Sequence, residues 1–160
     1  MSSDDLVKWF SNARRIVIVG IGNPLRRDDN VGVEIVKGLE GKVQKSVLLI
    51  KSETVPESYI EPILEFNPSH ILILDAALFG LAPGAIKLME VSEVKTTAIS
   101  THALPLQIFC KYLAETIEAK IALLLIQPGD TNFGEGLTRE LRLARKKLVN
   151  DLAKIIKGLI

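Results

Sequence analysis

Hydrophobic and polar positions follow two rhythms along the chain. Continuous apolar runs at residues 16–19, 46–50, 70–74 and 120–126 suit strands covered on both faces, which have no solvent side to interrupt the run. Between them lie segments with apolar residues at helical spacing: Val31, Ile35 and Leu39 in one, and Leu106, Phe109, Cys110 and Leu113 in another. The last and longest opens at Thr138 and places Leu141, Ala144, Leu148, Leu152, Ile155 and Ile156 on one face, with lysines and arginines opposite. Residues 55–66 predict an imperfect helix, with Tyr59, Ile63 and Phe66 sharing a face, Pro56 early, and Pro62 kinking or dividing it before Asn67 and Pro68 end it. Residues 85–90 alternate, Ile86 with Leu88, as an edge strand does, and antiparallel pairing suits them. Loops are expected at 76–84 and 127–136. Leu6, Trp9 and Phe10 form the apolar face of a short N-terminal helix or a loosely held arm. Strands alternating with helices predict an α/β fold, a single three-layer domain over 1–160 with a twisted, mostly parallel sheet of about five strands and helices on both faces.

The stretch 16–32, IVIVGIGNPLRRDDNVG, hands a buried strand to a helix through a sharp turn. Asp28 and Asp29 stand before Val31 as helix-capping residues do. Gly20 and Gly22 begin the G-x-G-x-x-G pattern of a dinucleotide loop, and Glu53 follows the next strand where a ribose-binding acid would stand. The match then fails: Leu25 holds the third glycine position, Pro24 has no amide hydrogen for a phosphate, and two aspartates repel one. The other reading is a cation site with Asp28 or Asp29 as an oxygen ligand.

In an open parallel sheet, ligands gather beyond the carboxyl ends of the strands. Asp29 follows the first main strand, Asp75 ends the third, and His102 begins a helix after the polar connection 96–101, with Ser100 or Thr101 as its cap. Two carboxylates and an imidazole form an oxygen and nitrogen set able to hold a divalent transition metal with open positions for substrate or water. The positive end of a helix favours neutral imidazole, the ligating form. The plainest alternative makes Asp29 and His102 helix-end residues and Asp75 a loop acid, with no common site. His70, at the amino end of its strand, points to the opposite edge and reads as structural. Cys110 sits amid apolar neighbours and reads as packing. Ser100 is near His102, but no G-x-S-x-G elbow accompanies it.

Composition narrows the classes. A chain of 160 residues, 48% hydrophobic, suffices for one substantial core, and a formal net charge of +1 supplies no field to attract nucleic acid or an anionic membrane. The single cysteine cannot form an internal disulfide, and the acids in MSSDDLVKWF are unlike a secretory signal, so the cytoplasm is the expected compartment. No apolar run reaches the roughly 20 residues of a membrane-spanning helix.

Four ordered segments then carry a resemblance: GIGNPLRRDDNVG at 20–32, LILDAALFG at 72–80, STHALPL at 100–106 and IQPGDTNFGEGLT at 126–138. Together they resemble the hydrogenase maturation endopeptidases, which trim the large subunit of nickel-iron hydrogenases. The resemblance implies release of a C-terminal extension once nickel has been inserted, so that the partner is the large-subunit precursor and the nickel is supplied by it. Carried over, the family's metal-binding and catalytic positions fall on Asp29, Asp75 and His102. Asn30 stands where the family has glycine, and asparagine's tolerance of left-handed backbone angles preserves the turn. Asp28 becomes a cap or a supporting acid. A nickel-binding chaperone of hydrogenase assembly would use the same three residues without cleavage, and a dinucleotide-binding module would instead depend on Glu53.

Overall fold

The computed structural model describes residues 1–91, 99–100 and 103–159. Its six strands are β1 (Ile16–Ile21), β2 (Val47–Glu53), β3 (His70–Leu78), β4 (Ile86–Glu90), β5 (Ile99–Ser100) and β6 (Lys120–Ile126). The main sheet has the order β2-β1-β3-β6-β4. β1 runs parallel to β2 and β3, and β3 parallel to β6. β4 closes one edge antiparallel to β6, which matches the alternation read in the sequence. β5 stands off this path and pairs antiparallel with the far end of β3.

The continuous apolar runs are explained by two cores, one on each face. Strand residues alternate between them because successive side chains point to opposite sides. Ile18, Leu72, Leu74, Ala122 and Leu124 meet α1 (Ser3–Trp9), α2 (Val31–Leu39) and α5 (Arg139–Lys157). Val17, Val19, Ile71, Ile73 and Leu123 meet α3 (Ile60–Phe66) and α4 (Ala103–Thr116). The N-terminal segment is no loose arm: Leu6 and Phe10 are fully buried and Trp9 nearly so. On α5 the buried face includes Val149, while Ile155 is only partly buried.

Several boundaries differ from the sequence expectation, each for a physical reason. β3 does not end at Asp75. Pairing with β1 stops at Leu74, but β6 continues to Ala76 and β5 takes Ala77 and Leu78, so the strand keeps partners for three more residues. The segment 55–66 divides into a 3₁₀ turn (Pro56–Tyr59) and α3, which puts Pro62 in the first helical turn, where its missing N–H costs little. Asn67 closes α3 in the left-handed conformation, φ 50°. Asp28 and Asp29 do not cap α2, because a second 3₁₀ turn (Arg27–Asn30) intervenes and the residue before α2 is Asn30.

Candidate functional site

At the carboxyl edge β1 leaves the sheet through a bulge against β2, and the Gly22 amide donates to the Glu53 carbonyl at 3.0 Å. The Asn23 carboxamide oxygen accepts from the Leu25 amide at 2.9 Å, which starts the turn. The chain then folds back onto the strand ends. A Cβ on Gly22 would lie 2.6 Å from Asn30 Cα and 2.8 Å from the Asp29 carbonyl oxygen. The glycine therefore seats this protein's own turn, and the Asp29 and Asn30 backbone stands where a side chain at position 22 would go. The left-handed residue is Arg27 (φ 44°), whereas Asn30 sits at φ −91°. Asparagine is thus accommodated without the left-handed geometry expected of it.

The two neighbouring aspartates have separate surroundings. Asp28 is fully buried and its carboxylate accepts four bonds: from the Thr138 amide at 2.7 Å, the Gly129 amide and Thr138 hydroxyl at 2.8 Å, and the Asp130 amide at 3.0 Å. Asp29 is 4% exposed, its amide donating to the Arg26 carbonyl at 3.0 Å. Asp75 is fully buried in β3, and its Oδ1 accepts from the Ala76 amide at 2.8 Å. By strand parity it lies on the face of Ile73 and Ala77, toward α4. The turn carrying Asp29 packs on β3, with Gly32 against the carbonyl of Leu74, the last β3 residue paired with β1, so Asp29 and Asp75 lie on elements packed against each other where β1 leaves the sheet.

His102, the third residue of the expected set, lies outside the described residues, as does Thr101. Among the described residues no group of three or more histidine, cysteine, aspartate or glutamate side chains could hold a metal ion. Flanking His102, Ser100 is paired with Ala77, two residues beyond Asp75 along β3, and α4 starts at Ala103.

Cys110 lies in the core between α4 and the sheet. Burial pushes its thiol up to about 12, and the charge of Asp75 adds to the effect. At neutral pH it is a packed thiol with almost no thiolate character. His70 is at the opposite end, 3% exposed, with Nδ1 3.0 Å from the Ser69 hydroxyl and its ring edge-on to Trp9 at 5.1 Å. Burial lowers its pKa, and the positive charge of Lys120 lowers it further.

Two structural details beside the site had no local signal in the sequence. Gln127, at the end of β6, accepts from the Phe79 amide at 2.8 Å and so ties the exit of β3 to the 127–138 loop. That loop presents Phe133, 77% exposed, with the Arg26 guanidinium 5.4 Å from its ring centre.

A family model described as "Hydrogenase maturation protease" (HycI) matches residues 33–155. It begins after Asp29. A provisionally named hydrogenase maturation protease of Methanocaldococcus jannaschii is 39% identical over 162 residues, covering 96% of this chain and 95% of that protein. The Hydrogenase 3 maturation protease of Escherichia coli is 28% identical over 127 residues, covering 79% of this chain and 81% of the other. Among solved structures, a [NiFe] hydrogenase maturation protease, HycI, from Thermococcus kodakarensis superposes with a TM-score of 0.88 at 34% identity, covering 96% of this chain and 99% of that one.

Proposed function

Because the chain belongs to the hydrogenase maturation protease family and is a peptidase of that kind, we propose that it removes a C-terminal extension from the nickel-loaded precursor of a nickel-iron hydrogenase large subunit. Nickel arrives as part of the substrate, and Asp29, Asp75 and His102 read it, which holds the adjoining scissile bond at the carboxyl edge of the sheet. The observation that carries this reading is the pair of buried carboxylates, Asp29 and Asp75, on elements packed against each other at that edge. Ser100, two residues before His102 in the sequence, pairs with Ala77, two residues beyond Asp75.

Attack on the scissile carbonyl falls to water, whose proton passes to one of the two aspartates and then to the leaving amine as the peptide C–N bond breaks. The chain's one thiol, Cys110, is held protonated and buried and is a poor nucleophile. We place the activity in the cytoplasm; among the described residues no helix is long and apolar enough to cross a membrane.

Purified protein is expected to release a C-terminal peptide from nickel-loaded precursor and none from nickel-free precursor, read by mass spectrometry. Equal cleavage of both would reject nickel as the recognition element. Tight nickel-dependent association with no change in precursor mass would reject the peptidase reading in favour of a chaperone.

A further inference from the structure

We propose that Asp28 is the positioning residue for Asp29, welding the turn that carries it to the 127–138 loop and the start of α5. This rests on the role proposed above for Asp29. An ionised carboxylate offers about four acceptor sites, and all four of the bonds found here come from elements more than a hundred residues away in sequence. Asp28 is thereby fully committed to its own chain and is excluded as a ligand, so the two adjacent acids divide their tasks.

The weld extends back along the backbone from Asp28 to Leu25. The Arg27 amide donates to the Gly134 carbonyl at 3.1 Å, the Asp28 amide to the Asp130 carbonyl at 3.1 Å, and the Gly134 amide to the Leu25 carbonyl at 2.9 Å. The Arg26 guanidinium reaches the Thr131 carbonyl at 3.0 Å. Thr138 precedes α5 but makes no cap bond with its own side chain; both its amide and its hydroxyl go to Asp28. A negative carboxylate at the N-terminal end of a 19-residue helix is favoured by the helix dipole. Asp29, next in sequence, donates its amide to the carbonyl of Arg26, which the loop holds, and a small displacement of a substrate-holding group is enough to slow a reaction greatly.

Asp28→Asn tests this, because an amide offers one oxygen and sets an NH2 group against the same donors. Hydrogen exchange at the amides of Asp29 and Asn30 is expected to quicken about 10-fold, while β3 keeps its native rate. With nickel-loaded precursor the maximal cleavage rate is expected to fall about 30-fold, with the half-saturating concentration changed little. Exchange that quickens only at the start of α5, or a retained maximal rate, would overturn the positioning role. If the native protein fails to cleave the precursor, the proposed function falls, and the exchange measurement still decides Asp28. Should Asp28→Asn not fold, Thr138→Val removes one of the four bonds. It is expected to quicken exchange at Asp29 about 3-fold, and an unchanged rate there would overturn the proposal.

Discussion

Gly32 lies directly against the carbonyl oxygen of Leu74, so the first turn of α2 meets β3 at its last β1-paired residue with no side chain between them. This approach brings the turn carrying Asp29 to the edge occupied by Asp75. A Cβ at position 32 would meet backbone on both sides, since the Ile21 carbonyl is also adjacent, and backbone cannot give way as a flexible side chain can. Gly32→Ala is expected to destabilise the fold by about 1–3 kcal/mol, in the range of overpacked cores, and to reduce cleavage even where it remains folded. Urea unfolding with a parallel cleavage assay checks both. An unchanged midpoint would show that the strand ends are looser than this contact implies.

His70 predicts a specific acid sensitivity. Its pKa is lowered in the folded protein by burial and then by Lys120, so the unfolded chain takes up a proton more readily than the folded one. The associated stability is complete above the unfolded value of about 6.5 and is lost as pH falls from there through the depressed folded value, at no more than about 1.4 kcal/mol per pH unit. His70→Phe keeps an aromatic ring beside Trp9 and removes the proton. The difference in unfolding free energy between native and variant protein is expected to change between pH 7 and pH 5. A pH-independent difference would mean that His70 titrates alike in both states.

What the sequence displayed well was whatever local spacing controls. The run Val17 to Val19 announces a strand buried on both faces because neighbouring positions feed opposite cores, and α2 occupies the residues its 3.6-residue pattern marked. Asp75 misled because a carboxylate after an apolar run reads as the end of a strand, whereas β5 and β6, distant in sequence, keep β3 extended to Leu78. Asp28 misled for a related reason. Before a helix an aspartate looks like a cap for that helix, but the donors it serves lie 101 to 110 residues away, and nothing near position 28 marks them. Of the site, topology alone leads to the packing of the turn that carries Asp29 against the strand that carries Asp75; that Asp28 gives its carboxylate to the 127–138 loop has no mark in the local sequence.

Cys110 offers a test of the mechanism by exclusion. With its thiol held at about 12, the thiolate fraction at pH 8 is about one in ten thousand, and the side chain is 4% exposed. Alkylation by iodoacetamide is expected to be very slow in the folded protein and rapid in urea. Cys110→Ala is expected to cost about 1–2 kcal/mol in packing while changing the cleavage rate less than about 3-fold. A loss of activity out of proportion to its loss of stability would assign the sulfur a part in the reaction.

Asp29, Asp75 and His102, the residues proposed to read the substrate, should respond alike in activity and unlike in stability. Asp75→Asn preserves an oxygen to accept the Ala76 amide, so the local backbone bond survives while the negative charge is lost. Asp29→Asn removes the other buried carboxylate charge beside the same strand end, and His102→Ala removes the imidazole. Each change is expected to lower cleavage of nickel-loaded precursor by about 100-fold or more, the scale on which positioned acid-base or metal-reading groups act. Circular dichroism should show each variant folded, with Asp75→Asn more perturbed than Asp29→Asn because position 75 is completely enclosed. A folded Asp75→Asn variant that cleaves at the native rate would remove Asp75 from the site. The shared edge of the sheet would then be a feature of packing alone.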